Sequence, residues 1–150
     1  MILRPVYEVG DARLYQAGSK RLDGYEPSDV AAEYRIAMVL NVAPHPNPKM
    51  AFYVLTYRHV PFGDNSQFRS ALPNIEPAVA EAAATLTAGG NVLTHCYYGV
   101  NRSGLVNALI IRDIEKCSGR DALARLRERR RGACGGNDHF VAYLNDLEAP

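Results

Sequence analysis

The stretch NVLTHCYYGVNRSGLVNALIIRDIEK, residues 91–116, decides how the chain folds. Asn91 to His95 reads as a short buried strand, and from Gly104 to Lys116 the residues are aliphatic around most of a helical circumference, as in a central helix enclosed by its neighbours. Between them Cys96 and Arg102 stand six positions apart, with Gly99 and Gly104 allowing the backbone to curl and pack closely. A loop that enters a helix N-terminus presents unpaired N–H groups at the positive end of the helix dipole, an anion site well suited to phosphate.

Working outward, the flanking segments alternate between strand and helix patterns. Arg13 to Ala17 reads as a short strand and Asp29 to Tyr34 as a short helix opened by Pro27 and Ser28. IAMVLNVA, 36–43, is a continuous apolar run of the kind a buried central strand shows, and AFYVLTYRHV, 51–60, is aromatic and β-branched and ends at Pro61, which predicts another strand. From Asn74 to Ala88 the apolar positions Ile75, Val79, Ala82 and Leu86 share one helical face, with Gly89 and Gly90 as the stop. Ser118 with Asp121 opens a helix to about Arg130, and Asn137 caps a last helix, His139 to Leu147. The expected fold is α/β: one domain over residues 1–150 with a central mixed, mostly parallel sheet flanked by helices, and the Cys96 loop at a strand end, where such sheets hold ligands.

The bulk numbers bound the partners. One hundred and fifty residues, 47% hydrophobic, suffice for one core, and a formal charge of +1 argues against a global attraction to nucleic acid or a membrane surface. Three cysteines, without a Cys-x-x-Cys pair, make neither a disulfide framework nor a zinc site, so a reducing compartment is expected. The N-terminus, interrupted by Arg4, Pro5, Glu8 and Asp11, lacks the apolar core of a signal peptide. These features predict a cytoplasmic location, with the nucleus open in a eukaryote, and no membrane or obligatory partner.

The chemistry follows from residue types. Arg102 can offer its planar fork to two phosphate oxygens, each charge-assisted bond contributing about 1.5–3 kcal/mol. The same positive field favours the thiolate of Cys96, which, beneath a bound phosphate monoester, is aimed at phosphorus. Ser103 can hydrogen-bond the sulfur and help it leave, and His95 can hold the loop through its ring nitrogens; no metal or cofactor is called for. The leaving oxygen needs a proton, and Asp64, in the loop HVPFGDNSQF after a predicted strand, is the candidate acid. A Gly-Asp-Asn turn is equally what an ordinary loop uses.

Cys96-x5-Arg102-Ser103 with His95 in front resembles the signature of the cysteine-dependent protein tyrosine phosphatase superfamily, in particular its small dual-specificity branch. VLNVA at 39–43, Tyr57 to Pro61 followed by Asp64, and the tail SGRDALARLRERRRGACGGNDHFVAYL resemble the order of elements in that branch. The resemblance implies a phosphatase acting on phosphotyrosine, and on phosphoserine or phosphothreonine, of a phosphoprotein or phosphopeptide. It implies Cys96 as nucleophile, Arg102 as phosphate clamp, Ser103 as helper of thiol departure and Asp64 as general acid and later base. His95, Tyr97, Tyr98, Gly99, Val100, Asn101 and Arg102 would line the substrate.

Two features point elsewhere. Asn101 resembles the RNA 5′-triphosphatases and diphosphatases of the same superfamily, and the run RLRERRR, 125–131, with five arginines and one glutamate, suggests an RNA 5′ end as partner if it is not simply a solvated helix face. A third reading is a catalytically silent, phosphate-reading binding module. Cys117 and Cys134 are read as structural, with a resolving-thiol role for an oxidised Cys96 as the alternative.

Overall fold

The computed structural model describes residues 1–150. In chain order the elements are β1 (Pro5–Val9), β2 (Ala12–Gly18), α1 (Ser19–Leu22), α2 (Pro27–Glu33), β3 (Ile36–Asn41), β4 (Thr56–His59), α3 (Leu72–Thr87), β5 (Asn91–Cys96), α4 (Arg102–Glu115), α5 (Gly119–Arg127) and α6 (Asp138–Asp146), with 3-10 turns at Met50–Phe52 and Ser66–Ala71. The strands form one sheet in the order β1-β2-β5-β3-β4. β5 runs parallel to both β2 and β3, β3 parallel to β4, and only β1 is antiparallel to its neighbour, so the expected mixed, mostly parallel sheet is present.

The period-2 alternation of the strands builds two cores. Leu14, Met38, Leu40, Val92 and Cys96 face α3, α4, α5 and α6 in the larger one, while Tyr15, Ala17, Val39 and Leu93 face α1, α2 and the Met50 turn in the smaller. Helix α4 lies in the middle of the larger core, where Leu105, Val106, Ile110 and Ile111 are fully buried. Each such side chain contributes about 1.5–3 kcal/mol by leaving water, which fixes the helix whose first turn carries Arg102 and Ser103. No helix is long and apolar enough to cross a membrane.

The capping residues act as expected: Ser118 accepts from Asp121 N at 3.1 Å and Asn137 from Phe140 N at 3.1 Å, and α3 stops at Gly89, whose φ of +97° suits glycine. One expectation is corrected. The strand predicted over 51–60 is confined to Thr56–His59, because its only neighbour, β3, pairs through Met38–Asn41; Phe52, Tyr53 and Leu55 lie outside the ladder and are exposed. Aromatic and β-branched residues make a strand only where a partner exists. The N-terminal segment, to which the sequence reading assigned no element, forms edge strand β1, with proline at the first position and only Val6 buried.

The carboxyl ends of β2, β3, β4 and β5 all point the same way. The loops after them, including those of Cys96 and Asp64, therefore gather at one edge of the sheet.

Candidate active site

Residues 97–101 bridge β5 and α4 in an open curl. Their carbonyls are drawn outward: Gly99 O accepts from Gln16 Nε2 at 3.0 Å and from an Arg130 guanidinium nitrogen at 2.6 Å, Val100 O from Cys134 N at 3.2 Å, and Asn101 O from Leu105 N at 2.8 Å. A peptide unit whose C=O points out turns its N–H in, and the N–H groups of Tyr97, Tyr98, Gly99, Val100 and Asn101 have no backbone acceptor. The curl needs glycine at position 99, where φ is +70° and a Cβ would lie 2.5 Å from both Ala17 C and Gly18 N. Gly18 is needed on the other side of the same contact, since its Cβ would meet Tyr97 O at 2.8 Å.

Cys96 lies 2% exposed at the floor of the curl, and its Sγ shares a hydrogen bond of 3.2 Å with Ser103 Oγ. Arg102 donates from Nη1 to Phe62 O at 3.4 Å, and its buried Nε has no partner. A buried, fully charged guanidinium nitrogen without an acceptor is costly unless an anion takes the bond. Sulfur, unengaged amides and guanidinium thus all belong to the seven residues Cys96 to Arg102, a curl whose free donors suit a tetrahedral oxyanion.

Asp64 stands on the loop after β4 and is held against this assembly by two amides. Asn101 Nδ2 donates to Asp64 Oδ2 at 3.1 Å and Asn137 Nδ2 to Asp64 Oδ1 at 2.6 Å, while Asn101 Oδ1 accepts from Gly136 N at 3.1 Å. Asn101 therefore turns its side chain away from the oxyanion space and braces the Asp64 loop. Phe62, two residues before Asp64, anchors the loop by packing edge-on to Phe140 with centroids 6.1 Å apart.

His95 faces the smaller core. Burial, with His59 as a lesser cause, pushes its pKa down to about 4, so it is neutral at physiological pH. Its Nδ1 lies 2.9 Å from Ser19 Oγ, which also donates to Cys96 O at 3.0 Å. Ser19 has one proton and gives it to the carbonyl, so His95 carries its hydrogen on Nδ1 and donates to Ser19. The imidazole thus holds the backbone of Cys96 through one ring nitrogen and an intermediate serine.

Tyr97 and Tyr98 stack edge-to-face at 4.6 Å on the rim, 42% and 72% exposed, and Val100 is half-buried. Cys134 donates to Asn101 O at 3.6 Å, and burial pushes its thiol up to about 12; burial and Glu115 raise that of Cys117.

The curl has supports that sequence reasoning did not find. Gln16 is buried on β2 and receives an amide hydrogen from buried Asn107 of α4 at 2.8 Å. A lone amide inside each of the apolar runs LYQAG and LVNALII was the available signal. Arg130 and Asn137 reach the site from segments read as a solvated face and a cap, and Ser19 from a segment to which the sequence reading assigned nothing.

The chain matches the family model "dual specificity phosphatase, catalytic domain" over residues 16–149. Comparison with curated proteins finds no match. Among solved structures it is similar to human DUSP28, at 25% identity and a TM-score of 0.75 over 97% of this chain and 91% of that one. It is also similar to Tk-PTP in its active form, at 20% identity and a TM-score of 0.71 over 96% and 95%, and to the Yvh1 phosphatase domain from Chaetomium thermophilum, at 24% identity and a TM-score of 0.66 over 96% and 93%.

Proposed function

The chain belongs to the dual specificity phosphatase catalytic-domain family, and from that premise we propose that it hydrolyses phosphate monoesters of protein tyrosine, and of serine and threonine, through a cysteinyl-phosphate. The observation that carries the reading is that one curl of seven residues holds the buried Cys96 Sγ beside Ser103 Oγ, loop amides without a backbone acceptor and the unpartnered Nε of Arg102. Residues 1–15, ahead of the family match, belong to the same catalytic unit because β1 pairs with β2.

The steps follow from the positions. The loop amides and Arg102 bind the nonbridging phosphate oxygens and stabilise the charge that develops on them. The Cys96 thiolate attacks phosphorus in line; the S–P bond forms, the P–O bond to the substrate breaks, and Asp64 gives its proton to the departing oxygen. Asp64 then takes a proton from water, whose oxygen attacks phosphorus. The S–P bond breaks, inorganic phosphate leaves, and the Ser103 hydroxyl stabilises the returning thiolate.

Two features first favouring an RNA 5′-end substrate have other employment. Asn101 braces Asp64, a residue with a purpose when an alcohol or phenol must be protonated on leaving. Of the five arginines in 125–131, Arg125 pairs with Glu115, Arg129 with Glu8, Arg127 donates to Ala133 O and Arg130 to Gly99 O. A silent binding module has no use for the Cys96–Ser103 contact. Three unpaired cysteines fit a reducing, cytoplasmic or nuclear location.

The test is turnover of a phosphotyrosine peptide in EDTA beside γ-phosphate release from triphosphate-ended RNA. The reading expects peptide turnover that is lost in Cys96→Ser. Faster RNA turnover, or full activity in Cys96→Ser, would overturn it.

A further inference from the structure

A second cavity of about 260 Å³ opens beside the phosphate-binding curl, between α1 and residues 43–49. His95 and Tyr97, the two neighbours of Cys96 in sequence, both line it, so it is continuous with the catalytic edge. Its surfaces include Leu22 and Ala43, both buried, and three prolines, Pro44, Pro46 and Pro48, with Tyr97 on the side toward the curl.

The wall is built rather than loose. Ala43 N donates to Asn41 Oδ1 at 2.9 Å, His59 Nε2 lies 2.7 Å from Ala43 O, Asn41 Nδ2 donates to His45 O at 2.9 Å, and Asn47 N donates to Tyr57 Oη at 2.7 Å. The prolines fix φ between these ties, so the cavity exists before any ligand arrives and filling it costs little ordering entropy.

At its base Ser19 Oγ is engaged by Cys96 O and by the Nδ1 hydrogen of His95, whose Nε2 is buried and has no partner. Asp23 and Lys49, both exposed, add one charge of each sign to the lining. An occupant bearing a charge finds no net field there, and although His45 and Asn47 add polar edges, most of the surface offered to an occupant is carbon, that of proline, leucine, alanine and tyrosine among it.

We propose that this cavity is a specificity subsite that takes the apolar side chain of a residue adjacent to the phosphorylated residue of a protein substrate. The inference rests on the protein-phosphatase reading above. A chain advances about 3.3 Å per extended residue, so a cavity bordered by Tyr97 is within reach of a residue one or two positions from the phosphoresidue held over Cys96.

A phosphotyrosine peptide with glycine on both sides, and variants carrying leucine, lysine or aspartate at each position from two before to two after, tests this through kcat/KM. Leucine at one position is expected to raise kcat/KM about tenfold over glycine, with neither charged residue doing so there. His45→Trp, which places an indole at the cavity mouth, should bring that leucine-to-glycine ratio close to one. A flat profile among peptides that are turned over, or a ratio unchanged in His45→Trp, overturns the subsite and leaves the phosphatase reading standing. Failure to turn over any peptide while triphosphate-ended RNA is cleaved overturns both. Should His45→Trp not fold, methyl NMR of Cys96→Ser decides: the leucine peptide is expected to shift the Leu22 and Ala43 signals and the glycine peptide not to, and equal shifts contradict the proposal.

Discussion

Replacing Asn101 by alanine separates the positioning of Asp64, the proposed acid, from every other part of the site. Asn101 gives Asp64 one of its two amide hydrogen bonds, at 3.1 Å, and Asn137 gives the other at 2.6 Å. A hydrogen bond to a charged acceptor contributes about 1.5–3 kcal/mol when shielded; this one is exposed, which places it near or below the lower end, about 1.4 kcal/mol. That corresponds to about a tenfold fall in the fraction of molecules with Asp64 poised, the Asn137 bond preventing complete release. In kcat/KM, which reports the steps up to departure of the leaving group and not the later hydrolysis in which Asp64 acts as base, the loss is felt only where proton donation matters. For phenyl phosphate, whose leaving group needs the proton, kcat/KM should fall about tenfold. For para-nitrophenyl phosphate, whose leaving group is stable as an anion, the fall in kcat/KM should be under about threefold. The assay is therefore a leaving-group series at fixed pH on parent and variant, and the dependence on leaving-group basicity should steepen in the variant. An equal fall across the series would refute the reasoning, since it would mean that Asn101 shapes the phosphate-binding curl and not the acid.

Gln16→Leu removes one of two donors to Gly99 O and leaves the Asn107 amide unpartnered in the core; inhibition by orthovanadate should weaken about tenfold and the melting temperature should drop, whereas unchanged vanadate affinity would show that Arg130 alone sets the curl. The pKa of His95, lowered from 6.5 to about 4, means that the unfolded state binds the extra proton between those values, so this residue's contribution to stability is complete above about pH 6.5 and falls as pH drops toward 4. Its full size is on the order of 3 kcal/mol, and denaturant titrations of His95→Gln should show a flatter loss between pH 6.5 and 4; an identical slope would contradict it. Iodoacetamide at pH 7 should label Cys96, with inorganic phosphate protecting it, before Cys134, whose thiol is buried and pushed up to about 12; peptide mapping that finds Cys134 labelled first in folded protein would reverse the assignment.

The parts of this molecule legible in its sequence are those set by neighbours along the chain. The strand, the glycine-containing curl and the following helix are local, and the Cys96–Ser103 contact spans seven positions. The caps at Ser118 and Asn137 are local as well. What stayed hidden is contact between distant segments: Asn107 meets Gln16 across 91 positions and Asn137 meets Asp64 across 73. Asn101 shows the consequence. Its residue type suggested a different substrate, and only the approach of the Asp64 loop and Gly136 shows that its amide is engaged on both sides. The edge of the sheet was hard for a related reason, since the length of β4 is set by β3 and not by the aromatic content of residues 51–60.

The central claim is that Cys96 carries the phosphoryl group. Asp64→Asn, which slows the departure of phosphate from the enzyme more than its arrival from a substrate with a good leaving group, should let the intermediate accumulate. Mixing that variant with 32P-labelled para-nitrophenyl phosphate, quenching within milliseconds and mapping the label by peptide mass spectrometry tests the claim most directly. The account predicts radioactivity on the peptide containing Cys96, lost in a Cys96→Ser background. Steady turnover with no label on that cysteine, or label on any other residue, would contradict it.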